Sequence, residues 1–166
     1  MIKTILVLAS LTAASAQAAK KECTFHLTGT DAMQYGLLEG DKEVPFADKT
    51  IKIPKKCLKE DIDITLKHVG KLPKAAMGHN VVVSDDADVI KIATTAGAKP
   101  ENEYIADAVK NLVIAHSKTV GGGESTLLTI KANKLKDAKA YAFFCSFPGH
   151  FGVMRGKLSF VDGAKS

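Results

Sequence analysis

Apolar residues recur at every second position through several short stretches of the chain. Ile62, Ile64 and Leu66 share one face of a segment whose other face carries Asp61, Asp63, Thr65 and Lys67. Phe25 and Leu27 alternate with polar neighbours in the same way, as do Ile51 and Ile53. A period of two marks a half-buried strand, because successive side chains point to opposite faces of a sheet. Short β-branched or aromatic runs at 79–83, 112–115, 126–130, 141–145 and 158–161 extend the series. Strands of this length, separated by Gly, Pro, Asn and Lys turns, predict an all-β sandwich.

Two intervals break the pattern. Residues 85–110 lack alternation and are rich in Ala, Asp and Lys, with their halves meeting at Gly97-Ala98-Lys99-Pro100. This reads as one or two short helices in a long connection outside the sandwich. Residues 36–49 are expected to form an irregular excursion between early strands. There is no internal repeat and no low-complexity segment.

The N-terminus changes the picture from fold to compartment. Met1-Ile2-Lys3 is a short basic start, residues 5–14 are mostly apolar and carry no acid, and Ala16-Gln17-Ala18 is the small-x-small pattern cut by a signal peptidase. The apolar run is shorter than the about 20 residues a bilayer-crossing helix needs. Residues 1–18 therefore read as a cleaved export signal, leaving 19–166 as a single domain in the periplasm. No later segment is apolar enough to span a membrane. The net charge of +5 falls by one when Lys3 leaves, and the remaining lysines are scattered without interleaved aromatics. That distribution argues against a nucleic-acid partner.

Three cysteines in an exported chain leave one to explain. Cys23 and Cys57 sit in polar, lysine-rich settings, whereas Cys145 ends the aromatic run Tyr141-Ala142-Phe143-Phe144. The economical assignment is a Cys23–Cys57 disulfide and a functional thiolate at Cys145.

Cys145 opens the segment Cys145-Ser146-Phe147-Pro148-Gly149-His150-Phe151-Gly152-Val153-Met154, which brings a thiolate, an imidazole and a thioether together. A tight Pro148-Gly149 turn after a strand would fold all three around one point. One Cys, two His and a distant Met make up the ligand set of a blue-copper centre. Met77-Gly78-His79-Asn80, ahead of an apolar strand, supplies the second His. Taken singly, each residue has a plainer role: a Cys after two Phe is ordinarily a packed thiol, and a Met ordinarily fills a core. Their joint occurrence favours copper.

The stretch from Tyr141 to Gly156 resembles the ligand loop of the azurins, a branch of the cupredoxin family of blue-copper proteins. His68 to Asn80 resembles that family's first-histidine segment, and Cys23 with Cys57 its disulfide. Val113-Ile114-Ala115-His116-Ser117-Lys118, followed by Gly121 to Glu124, is similar as well. The resemblance implies a Greek-key, cupredoxin-like β-sandwich binding one type 1 copper. Its equatorial ligands would be His79, Cys145 and His150, with Met154 and the Gly78 carbonyl as weak axial contacts. Asn80 would tie the two ligand segments together near Ser146, and backbone N–H groups around Phe147 would donate to the Cys145 sulfur. The implied function is one-electron transfer between redox proteins such as c-type cytochromes or a copper nitrite reductase. Met33, Leu72, Met77, Phe147, Pro148, Phe151 and Val153 would form the apolar docking patch around His150.

The sequence departs from that family in three places. The Cys23–Cys57 interval is longer than usual, Val81 stands where many members bury a tryptophan, and bulky Phe151 follows His150. His68 is in phase with Ile62, Ile64 and Leu66 and should point inward. In the family its counterpart lies near the copper and can make the potential pH-dependent. His26 is expected to be structural and His116 exposed; neither is assigned to the metal. A storage or delivery role for copper is the alternative, although only four methionines, the initiator included, argue against a Met-rich exchange site. A copper enzyme would need a further metal with an open position, and the leftover His26, His68 and His116 lack ligand-like spacing.

Overall fold

The computed structural model describes residues 22–40, 42–44 and 46–163. The export-signal reading of residues 1–18 lies outside them. Among the described residues, ten strands form two mixed five-stranded sheets. The first contains β1 (Thr24–Gly29), β2 (Tyr35–Glu39), β3 (Lys42–Val44), β5 (Ile62–His68) and β8 (Ser125–Ile130), in the order β3-β2-β1-β5-β8. The second contains β4 (Thr50–Pro54), β6 (Val82–Asp85), β7 (Val113–His116), β9 (Tyr141–Phe144) and β10 (Arg155–Val161), in the order β4-β10-β9-β6-β7. β1 runs parallel to β5 and β10 parallel to β4, and the other pairs are antiparallel.

The expected strands are present, with small shifts at their ends. β5 shows the predicted alternation, its Ile62, Ile64, Leu66 and His68 all buried. The irregular excursion expected at 36–49 is instead largely a β-hairpin, β2 and β3, with Leu37 opposite Val44. Its signal was masked at Gly36, which interrupts the alternation. A Cβ there would lie 2.4 Å from Thr28 Oγ1 and 2.5 Å from Glu43 Oε1. A side chain there would have to displace the Thr28 hydroxyl and the Glu43 carboxylate.

β9 is buried along its whole length because it is covered on both faces. Tyr141, Phe143 and Cys145 point into the core between the sheets, with Ile51, Ile64, Leu66, Val81 and Val83. Ala142 and Phe144 point the other way, into a second apolar cluster with Val82, Val89, Ile92, Ile105, Ala106 and Val109. The interval expected to be helical supplies that cover. It holds one α-helix, Val89–Thr94, and 3-10 turns at Asp86–Asp88, Pro100–Asn102 and Asp107–Leu112.

Cys23 and Cys57 form a disulfide with Cα atoms 5.6 Å apart. It ties the start of β1 to the 3-10 turn Lys55–Lys59 that leads from one sheet to the other. Among the described residues, no helix is long and apolar enough to cross a membrane.

Candidate metal centre

Parity along β9 aims Cys145 into the sandwich interior at the strand's end. The chain then turns tightly: the His150 N–H donates to the Phe147 carbonyl at 3.0 Å, across Pro148 and Gly149. Gly149 has φ +83°, the left-handed value that the third position of a type II turn requires. The loop closes on itself where the Met154 N–H donates to the His150 carbonyl at 2.8 Å and the Cys145 N–H to the Met154 carbonyl at 3.0 Å. His79 arrives from a distant part of the chain. A two-way backbone bridge to Val120 holds it, at 2.9 and 2.8 Å.

These elements place one ligand atom each from His79, Cys145 and His150 within 4.8 Å of one another. The Cys145 sulfur is 3.7 Å from His150 Nδ1 and 3.8 Å from the Gly78 carbonyl oxygen. All three side chains are at most 3% exposed. The His79 Nε2–H donates to the Thr30 carbonyl at 2.8 Å, which leaves Nδ1 as the lone-pair atom. That Nδ1 is buried and has no hydrogen-bond partner. A histidine fixed through one nitrogen to a carbonyl, with the other directed at a thiol and a second imidazole, is the arrangement of a metal ligand.

The electrostatics agree. Burial pushes the Cys145 thiol up to about 11, although the Asn80 and Phe147 backbone N–H groups facing it favour the thiolate. Burial and the neighbouring His79 and His68 push His150 down to about 4, and burial also lowers His79. The pocket therefore offers two neutral imidazoles and a sulfur that near neutral pH keeps its proton until a metal cation displaces it. Soft thiolate with imidazole suits copper, and zinc would also bind such donors.

Met154 is fully buried. A Cβ added at Gly29 would lie 2.9 Å from the His79 ring and 3.3 Å from the Met154 methyl, so both side chains press against that glycine. A Cβ at Gly78 would meet the Lys74 carbonyl oxygen at 2.6 Å, Thr119 Cγ2 at 2.7 Å and Phe147 at 2.9 Å. Asn80 Nδ2 donates to Ser146 Oγ at 2.8 Å, and the Ser146 N–H donates to Asn80 Oδ1 at 2.9 Å. The buried Tyr35 hydroxyl donates to the Asn80 carbonyl. His68 is buried and stacks on His79 at 4.3 Å between ring centroids, while His116 is exposed. His26 bonds Thr65 Oγ1 at 2.7 Å on the first sheet, as a structural residue would.

The residues expected to form a docking patch divide. Leu72 and Val153 are 42% and 50% exposed, and Pro148 is exposed. Met33, Met77, Phe147 and Phe151 are half-buried. Phe147 packs on the main core and edge-on against Tyr104, and Phe151 on the second apolar cluster. Several contributors carried no signal in the sequence. Thr30 acts through its carbonyl, Gly29 through its lack of a side chain, and Tyr35 and Glu103 through contacts with Asn80 far along the chain.

A two-sheet β-sandwich with a buried Cys and two His converging at one end defines a mononuclear copper protein of the cupredoxin class. The profile of the copper-binding proteins of the plastocyanin/azurin family matches residues 31–161, and the chain belongs to that family. It is 46% identical to the azurin of Alcaligenes faecalis over 73% of this chain and 93% of that one. It is 40% identical to the azurin of Bordetella pertussis over 93% of this chain and 95% of that one. The solved structure of an azurin from the obligate methylotroph Methylomonas sp. strain J superposes with a TM-score of 0.70 at 34% identity, covering 84% of this chain and 98% of that one.

Proposed function

We propose that the protein is a periplasmic electron carrier of the azurin kind, not an enzyme, whose single copper is held by His79, Cys145 and His150. Met154 and the Gly78 carbonyl would complete the site as weaker ligands. The observation that carries the reading is the orphaned His79 Nδ1, set among a thiol and a second imidazole that are likewise buried. Copper, when bound, supplies a Cu(II)/Cu(I) couple that accepts and releases one electron. The chain's own part is to keep the donors fixed: Thr30 and Val120 hold His79, the closed loop holds His150, and Asn80 joins the two ligand segments. No substrate bond is made or broken.

His150 lies on a loop whose neighbours Pro148, Gly149, Gly152 and Val153 reach solvent, so electrons would pass through this end. Partners such as c-type cytochromes or a copper nitrite reductase would dock briefly on the apolar surface there. Residues 19–166 would form the mature domain after removal of 1–18.

The test is the visible spectrum of the copper-loaded mature protein together with voltammetry. An intense red-absorbing thiolate-to-copper band and a reversible one-electron wave are expected, and Cys145→Ser should abolish the band. Tight Cu(I) binding without that band would favour storage or delivery instead. An intense band retained in Cys145→Ser would overturn the ligand assignment.

A further inference from the structure

We infer that Glu103, on the helical insertion, is a positioning residue for the metal centre that clamps both ligand segments at once; the inference rests on the copper reading above. Three of its bonds reach the site. Its carbonyl accepts Asn80 Nδ2–H at 3.0 Å and the Ser146 hydroxyl at 2.7 Å. Its carboxylate accepts the Thr119 N–H at 2.6 Å. Asn80 follows His79, Ser146 follows Cys145, and Thr119 precedes Val120, whose backbone bridges His79. One residue therefore touches the chain next to two ligands and next to the clamp that holds one of them.

The backbone shows that this contact is held against a local preference. Glu103 and Tyr104 have φ values of +54° and +58°, two consecutive non-glycine residues in the left-handed region. Such conformations persist only where the surroundings over-determine them. The surroundings here are those three bonds, the Glu103 N–H to the Pro100 carbonyl at 3.3 Å and the Tyr104 N–H to the Lys99 carbonyl at 2.8 Å. The left-handed turn directs the Glu103 carbonyl at Asn80 and Ser146 while its side chain reaches Thr119. It also sets the Tyr104 ring edge-on against Phe147 at 4.8 Å, and Phe147 lies 4.7 Å from His150. The insertion thus covers the second apolar cluster and also sets the site's geometry.

The carboxylate and the backbone conformation separate by substitution. Glu103→Gln keeps an acceptor for Thr119, Glu103→Ala removes it and leaves the positive φ to the backbone bonds alone, and Glu103→Gly removes it while suiting a positive φ. In metal-free protein, amide exchange at Thr119 should quicken by about tenfold in the Ala and Gly variants and stay near wild type in the Gln variant, as expected for loss of one charged-group hydrogen bond. In copper-loaded protein, Glu103→Ala should shift the midpoint potential and the copper hyperfine splitting and release copper several-fold faster, with Gln restoring all three. Wild-type potential, hyperfine splitting and Thr119 exchange in Glu103→Ala, with only a lower Tm, would overturn the proposal. If the Ala variant does not fold, the Gln and Gly variants decide in the same way. Wild-type protein lacking the red band would instead sink the blue-copper reading, while the exchange measurement on metal-free protein still judges the Glu103 clamp.

Discussion

Asn80 and Ser146 are joined twice, side chain to side chain and backbone to side chain, although 66 positions separate them. The pair links the segment of His79 to that of Cys145 inside the protein. Replacing Asn80 by Ala would strip the buried Ser146 N–H of its acceptor and take a donor from the Glu103 carbonyl. Leaving such groups unpaired costs about 1–3 kcal/mol each. Asn80→Ala should therefore lose about 2–3 kcal/mol of stability in guanidinium titrations of the metal-free protein. A loss below about 0.5 kcal/mol would mean that water replaces these contacts.

The metal-free protein should be most stable between two flanks set by the ligands themselves. In the unfolded chain His150 takes up a proton near its ordinary 6.5, whereas in the folded protein it resists to about 4. The unfolded state thus binds more protons in that window, and stability falls as pH drops from 6.5 to 4. Cys145 acts on the other side. Unfolded, its thiol ionises near 9, but folded it keeps the proton to about 11, so stability falls as pH rises from 9 to 11. Thermal unfolding of metal-free protein from pH 4 to 10 should show both slopes. His150→Gln should make the acidic flank shallower, buried His79 supplying the remainder, and Cys145→Ser should flatten the alkaline one; an unchanged profile in either variant would contradict the corresponding assignment.

The Cys23–Cys57 bridge spans 34 positions of sequence and sits at the start of β1, whose opposite end, Gly29, lies against His79. By loop-closure entropy its removal should cost about 3–4 kcal/mol. The double variant Cys23→Ala, Cys57→Ala should unfold at lower denaturant yet keep the copper spectrum of the wild type. A changed spectrum would reveal a coupling between bridge and site that the fold gives no reason to expect.

Val153 and Leu72 are the large apolar side chains exposed on the proposed docking surface. Placing a carboxylate there brings like charges together when two copies meet and removes apolar contact. Val153→Asp and Leu72→Asp should each slow electron self-exchange by about tenfold, since most of that cost falls on forming the encounter complex. Neither should alter the visible spectrum. Unchanged self-exchange, followed by NMR line broadening, would move the electron port to another face.

Much of this was legible in the sequence because the relevant signals are local. β5 alternates cleanly, and Cys145, His150 and Met154 lie within one ten-residue loop whose Pro148-Gly149 turn has its own chemistry. The odd cysteine count separated the disulfide from the thiolate. The β2–β3 hairpin was hidden because Gly36, near the start of β2, carries no hydropathy signal and interrupts the alternation. Phe151 read as a surface residue because nothing nearby announces that the distant insertion covers it. The Thr30 carbonyl and the Glu103 clamp were invisible for a further reason: any residue type has a carbonyl, and only folding decides which one faces a histidine.

The chain has no tryptophan, and its three tyrosines are all buried. Two of them border the site: the Tyr35 hydroxyl is bound to the Asn80 carbonyl, and the Tyr104 ring lies against Phe147. Near-ultraviolet emission from this protein would therefore be dominated by tyrosine, with two of the three emitters beside the site. Filling the centre with copper would quench that light and filling it with zinc would spare it, giving the molecule a label-free gauge of which metal it carries.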